Sequence, residues 1–253
     1  MTEGTIDIQR SSRVSTITFS HPAHNSLPGK LLAELRDAIE EEGRTSETSV
    51  IVVRSGGERT FCAGASFDEL LSIKDAAQGK EFFMGFARVI NAMRQCPKFV
   101  IGRVQGKAIG GGVGLASATD YCFATQWSSV KLSELALGIG PFVVGPAVRR
   151  KIGTGAFAQM SIHASGWQTA QWAWQRGMYA EVYKDATEMD SHIDRLCTEL
   201  TAYSPEAMRE MKAALWRGCE DWSTLLPERA AISGRLILSD AAQAAVNKVK
   251  NKS

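Results

Sequence analysis

"AIGGGVGLASATD", residues 108–120, sets the terms on which the rest of the chain is read. Three glycines stand in a row, a fourth follows two residues on, and the segment then runs into a helix-compatible stretch. Glycine costs a helix interior about 1 kcal/mol relative to alanine. Four of them here point to backbone that another group must approach closely, and no charged residue stands among them. Just upstream, "KFVIGRVQG" reads as a strand, so the glycines open a turn between strand and helix. A second turn of this kind, "RTFCAGASFDEL" at residues 59–70, follows the β-branched run "SVIVVRS". A helix that starts at such a turn presents unpaired backbone N–H groups. Two of them converging on one point would form an oxyanion hole. Two tight packing turns are the alternative that spacing alone leaves open.

Working outward, "TIDIQRSSRVSTITFSHP" alternates apolar and polar residues and predicts a hairpin over residues 5–9 and 14–19. Leu31, Leu32, Leu35, Ala38 and Ile39 fall at helical spacing. Residues 67–96 are helical in period and predict two helices breaking near Gly79. "ATDYCFATQ", "SSVKLS" and "MYAEVY" read as further strands. Residues 185–202, 205–217 and 222–238 read as three helices. The repeated strand, strand, helix order predicts an α/β fold, with a core over residues 1–185 and a helical C-terminal region over residues 186–253. Trp216, Trp222, Leu225, Leu226, Leu236, Ile237 and Leu238 make that last region apolar, either for its own packing or for a subunit interface.

The bulk properties narrow the function. The chain has 253 residues, a net charge of +2, 44% apolar and 22% charged residues. No polybasic footprint for nucleic acid is present, and no apolar run approaches the ~20 residues of a membrane span. The five cysteines lack a CxxC pair, and the N-terminus lacks a signal-peptide core, which together predict a soluble cytoplasmic protein with free thiols. "GRVQGKA" is one residue short of a P-loop, and "GIGPFVVG" lacks the dinucleotide-binding spacing. His21 and His24 have no acidic or cysteine partner nearby, so a turn around Pro22 explains them better than a metal, and no metal site is expected.

Four segments together carry a resemblance: "HPAHNSLPGKLLAELRDAI", "FCAGASFDEL", "VQGKAIGGGVGLASATDYCFAT" and "KLSELALGIGP". In order and spacing the chain resembles the crotonase superfamily, the enoyl-CoA hydratases and isomerases, over nearly its whole length. The resemblance implies a spiral of ββα units with a C-terminal helical region that forms homotrimers, often paired into hexamers. It implies an acyl-CoA thioester substrate, with coenzyme A part of the substrate and no separate cofactor. By position, the oxyanion donors would be the N–H groups of Ala65 and Gly111. Contacts to coenzyme A would come from Ala23, His24, Ala63, Ser66 and Phe67.

Hydratases of this kind usually set two glutamates around one water. The first falls at Gly114 here; the second is retained as Glu134. Hydration of a 2-enoyl-CoA with Glu134 as acid and base is the first expectation, because that activity is widespread in the family. Isomerisation of a 3-enoyl-CoA to the 2-enoyl-CoA, which one base can carry out, stands close behind. A non-catalytic acyl-CoA binder is the third reading. Apolar flanks would raise the pKa of Glu134. Phe142 and Val143, bulkier than the family's usual residues there, would shape the acyl pocket beside Gly114 toward short or branched chains. Asp120 is read as structural, holding buried backbone donors.

Overall fold

The computed structural model describes residues 4–250. The hairpin forms as β1, Thr5–Ser11, and β2, Val14–Ser20, in antiparallel register Ser11↔Val14 to Thr5↔Ser20. Its two-residue turn places Ser12 and Arg13 at φ 50° and 64°, the mirror-image conformation that suits the twist of a tight hairpin. Helix α1, Gly29–Arg44, buries the predicted stripe of Leu31, Leu32, Leu35, Ala38 and Ile39.

From there the chain alternates between two sheets. Strands β3 (Val50–Ser55), β5 (Phe99–Val104), β7 (Tyr121–Thr125) and β9 (Glu181–Tyr183) extend the hairpin into a six-stranded sheet of order β1-β2-β3-β5-β7-β9. All its pairings beyond the hairpin are parallel. Strands β4 (Thr60–Cys62), β6 (Lys107–Ile109) and β8 (Val130–Lys131) form a separate parallel sheet of order β4-β6-β8. Three successive turns of the spiral thus give one strand to each sheet and then return through helix, and β9 adds a last strand to the large sheet alone. The two sheets share one core with the helices outside, including Ile17, Phe61, Val104, Ala108 and Val113. Burying such side chains stabilises the fold by roughly 1.5–3 kcal/mol each.

The helices over residues 67–96 are α2, Phe67–Ser72, and α3, Ala76–Gln95. The break falls at residues 73–75, where the Asp75 side chain accepts from Gln78 N–H at 2.8 Å and caps α3. Gly79 lies inside α3, contrary to the expected break there. It is the crossing point with Gly234 of α9, Trp222–Leu236: a Cβ on Gly79 would meet the Gly234 carbonyl oxygen at 2.4 Å. The remaining helices are α4 (Gly111–Ala118), α5 (Gly145–Ile162), α6 (Ala170–Gln175), α7 (Ala186–Thr201), α8 (Pro205–Leu215) and α10 (Asp240–Lys250). Helix α10 falls within the helical region expected over residues 186–253, beyond the three helices predicted there. Trp216, Trp222 and Leu226 are buried in the main core, so much of the C-terminal apolar surface is used within the chain itself. Among the described residues no helix is long and apolar enough to cross a membrane.

Asp120 ties the C-terminal helices to the sheet. Its carboxylate accepts from Val100 N–H at 2.7 Å and from Trp216 Nε1–H at 2.6 Å, and it pairs with Lys212 Nζ at 2.8 Å. The Lys212 ammonium also donates to the carbonyls of Met93 and Lys98. Both charged side chains are almost wholly buried. Removing one partner of a buried pair strands the other, at a cost of about 3–5 kcal/mol. Lys212→Met is therefore expected to lower the unfolding free energy obtained from a urea titration by that amount. A loss under about 1 kcal/mol would show that the pair does not bind α8 to the sheet.

Candidate active site

Because β4, β6 and β8 are parallel, the segments leaving their C-terminal ends emerge along one edge, the usual position for a ligand site beside such strands. After β4 comes the turn at residues 63–65, then Ser66, whose side chain accepts from Glu69 N–H and caps α2. After β6 comes Gly110, then α4. After β8 come Leu132, Ser133 and Glu134, then a single 3₁₀ turn over Leu135–Leu137. A Cβ on Gly64 would lie 3.1 Å from the Ile109 carbonyl oxygen and 3.6 Å from the Gly111 nitrogen, so the first two turns lie against each other.

Gly110 has φ 51° and ψ −113°, a conformation that side chains resist. A Cβ there would also sit 3.0 Å from Glu134 Oε1. The glycine therefore turns the chain and leaves room for the carboxylate. Its neighbour Gly111 begins α4, so its N–H has no partner within the helix.

The three turns enclose a cleft of about 610 Å³, counting its open mouth. Its lining is mostly apolar, including Phe67, Leu70, Phe83, Phe86, Leu137, Ile139, Phe142, Val143 and Val144, together with backbone of residues 63–65 and 110–111. Glu134 is the one lining residue with an acidic or basic side chain. Its Oε2 is buried with no hydrogen-bond partner. Burial pushes its carboxyl up to about 7, because the charged form loses water and a hydrogen bond from its own backbone N–H offsets only part of that cost. Helix α10 backs this wall: Ala242 and Val246 pack with Leu70, Leu137 and Ile139, and Lys250 pairs with Asp68 at 2.5 Å.

Ala65, Gly111 and Glu134 thus line one cleft, with Ala63, Phe67, Phe142 and Val143. Gly114 does not line it. A Cβ on Gly114 would lie 2.4 Å from Val144 Cγ1 and 2.7 Å from Val144 Cβ, so the side chain of Val144 fills the space that a residue at 114 would take. Val144 itself lines the cleft. Nothing in the sequence brings residue 144 next to residue 114. Ala23, His24 and Ser66 stand outside the lining. Ala23 and His24 are exposed on the loop before α1, which is bound to the turn after β4: Ala63 N–H donates to the His24 carbonyl at 3.2 Å, and Leu27 N–H to the Gly64 carbonyl at 2.8 Å. His21 Nδ1 accepts from Ala23 N–H at 3.2 Å and so serves that turn.

On the far side of Phe142 the surface opens into a wider groove between α5, α8 and α9, and Pro141 and Phe142 border both spaces.

Residues 9–246 match the family model described as enoyl-CoA hydratase/isomerase. A short-chain-enoyl-CoA hydratase from Clostridium acetobutylicum is 26% identical over 215 residues, covering 84% of this chain and 81% of its own. A peroxisomal Δ(3,5)-Δ(2,4)-dienoyl-CoA isomerase from Arabidopsis thaliana is 26% identical over 235 residues, covering 85% of this chain and 83% of its own. The crystal structure of enoyl-CoA hydratase from Bacillus halodurans superposes with a TM-score of 0.89 at 18% identity, over 96% of this chain and 99% of that one, a likeness of fold. With a family match that spans both sheets, the site turns and most of α10, the chain belongs to the enoyl-CoA hydratase/isomerase family, the crotonase superfamily.

Proposed function

We propose that the cleft binds an acyl-CoA thioester and that Glu134, acting alone, moves a proton along its acyl chain. The observation that carries this reading is a single lining carboxylate whose Oε2 is buried without a hydrogen-bond partner, in a cleft where Val144 occupies the room for a second. The thioester oxygen would lie between the N–H groups of Ala65 and Gly111. With a 3-enoyl thioester, the Glu134 carboxylate takes a proton from C2 and the negative charge moves onto the thioester oxygen, where the two N–H groups stabilise it. The double bond shifts from C3–C4 to C2–C3 as the Glu134 carboxylic acid returns the proton to C4. A group with a pKa near the working pH suits both halves of that exchange. Ala23, His24, Ala63, Ser66 and Phe67 would meet the coenzyme A portion, the first two from the loop held against the turn after β4.

This geometry ranks isomerisation of a 3-enoyl-CoA above hydration of a 2-enoyl-CoA. Hydration stays as the second reading because hydratases stand among the relatives. In that reaction Glu134 would have to take the proton from water and also supply one to C2. The absorbance of the conjugated enoyl thioester separates the two. Isomerisation raises it when a 3-enoyl-CoA is supplied; hydration lowers it when a 2-enoyl-CoA is supplied. No change with either, alongside measurable binding, would leave a non-catalytic binder.

Phe142 and Val143 would limit the acyl chain to short or branched forms. Phe142→Ala widens the cleft where it borders the groove. It is expected to raise kcat/KM for a long straight chain by about tenfold relative to a four-carbon one, since each accommodated methylene contributes about 1 kcal/mol or more. An unchanged chain-length profile would remove Phe142 as the limit. The homotrimer or hexamer that the family resemblance implies is proposed here too, and light scattering of the purified chain reads it directly.

A further inference from the structure

The groove beyond Phe142 carries a charge pattern that proton transfer at Glu134 does not use. It encloses about 1810 Å³ including open space. Arg149, Arg150 and Lys151 reach it from α5, Arg217 from the end of α8 and Arg229 from α9, against one lining carboxylate, Asp221. Two of these cations are already engaged: Lys151 Nζ donates to the Asp120 carbonyl at 3.0 Å, and Arg150 Nη2 donates to the Leu215 carbonyl at 2.7 Å while its guanidinium lies 3.9 Å over the Trp216 ring. Arg217 faces the Glu220 carboxylate, whose pKa it helps to lower, while no hydrogen bond or ion pair to another described residue holds the guanidinium groups of Arg149 and Arg229. A surplus of uncommitted guanidinium next to an apolar cleft matches a ligand that is apolar along its length and anionic at its end. Arginine suits that task because its planar donors take both oxygens of a carboxylate.

We propose that this groove receives a carboxylate at the far end of the acyl chain, so that the preferred ligands are thioesters of dicarboxylic rather than simple fatty acyl groups. The proposal rests on the acyl-thioester reading of the Glu134 cleft and names its substrate class. The groove adjoins the cleft through Pro141 and Phe142 and shares no lining residue with the turn at residues 63–67. It therefore lies at the wall away from the one assigned to coenzyme A. The arginines would act on affinity and selection, while Phe142 sets how far the chain must reach before its end meets them.

The test uses saturated, unreactive acyl-CoA thioesters of about four to eight carbons, in pairs that differ only by a terminal carboxylate, titrated calorimetrically into the full chain. The coenzyme A portion is common to each pair, so contacts to its phosphates cancel in the ratio. For at least one chain length the carboxylated member is expected to bind about tenfold more tightly or better, with the ratio shrinking as salt rises. Arg149→Gln and Arg229→Gln, made singly with circular dichroism to confirm folding, are expected to reduce that ratio by about threefold or more. Equal affinity at every length would overturn the proposal. So would a preference that both variants leave intact, or variants that weaken both members equally, as phosphate-binding arginines would. Because the readout is binding, a chain that turns over no enoyl thioester refutes the proposed reaction without affecting this result.

Discussion

Glu134→Gln is expected to lower kcat by at least a thousandfold while changing the Kd of a saturated acyl-CoA by less than about threefold. The substitution keeps the size and polarity of the side chain and removes its ability to take and return a proton. No other lining side chain can act as the base, since the cleft presents only hydroxyls beyond Glu134, from Ser133 and Ser233. General acid–base catalysis by a positioned group contributes about 10²–10⁴ in rate, and in the proposed reaction both proton transfers pass through one residue. Residual turnover within tenfold of the parent would show that another group does the chemistry. The same variant makes a second statement, about stability. The carboxyl of Glu134 is raised from 4.5 to about 7 by burial, so across that window the folded chain holds a proton that the unfolded chain has released. Stability is therefore lost as pH rises from 4.5 to 7, by an amount on the order of 3 kcal/mol. Glutamine does not ionise. The variant is expected to melt above the parent at pH 8 and to lose that margin near pH 4.5.

Gly114→Glu is the second large effect. It restores by sequence the carboxylate that the two-glutamate hydratases carry, yet it is expected to destabilise the chain and to confer no hydratase activity. Its Cβ would overlap the side chain of Val144, which is itself buried. Overpacking of this kind costs about 1–3 kcal/mol or more, which for a chain of this size lowers the melting temperature by about 2–10 °C. The paired change Gly114→Glu with Val144→Gly removes both overlapping atoms, Cγ1 and Cβ, and leaves only the Val144 Cα at an ordinary 3.5 Å. It is expected to recover a large part of the loss and to bring a second carboxylate into the cleft, measurable as an increase in the rate of 2-enoyl-CoA hydration. A single Gly114→Glu chain as stable as the parent would mean that Val144 moves aside readily and that the one-carboxylate site is not enforced by packing.

The sequence makes the local parts of this site legible and leaves the lateral ones hidden. Glu134, the two glycine turns and the apolar flanks can be read because each is written in contiguous residues. The hairpin, α1 and the strands of the large sheet show in hydrophobic period. The small sheet is harder to read, since strands of two and three residues leave no periodic trace. Gly79 was expected to break a helix because glycine ordinarily weakens one. Its role against Gly234, far along the chain, is visible only where α3 and α9 cross. Val144 is the same case with functional weight. Gly114 reads as a missing acid, whereas the structure adds that the vacated space is filled. Helix α10 lies inside the expected helical region but is not delimited there because its apolar face is narrow, and its place behind Leu137 and Ile139 depends on the whole spiral having closed.

In the proposed reaction one carboxylate, its pKa raised by burial, performs both proton transfers. The most direct test of this is the pH dependence of kcat/KM for a 3-enoyl-CoA between about pH 5 and 9. The base must be ionised to accept the C2 proton, so the rate is predicted to rise with pH through a single ionisation near 7 and then stay level, with a limiting slope of one. A bell-shaped profile with two ionisations, or a rate flat across that range, would contradict it.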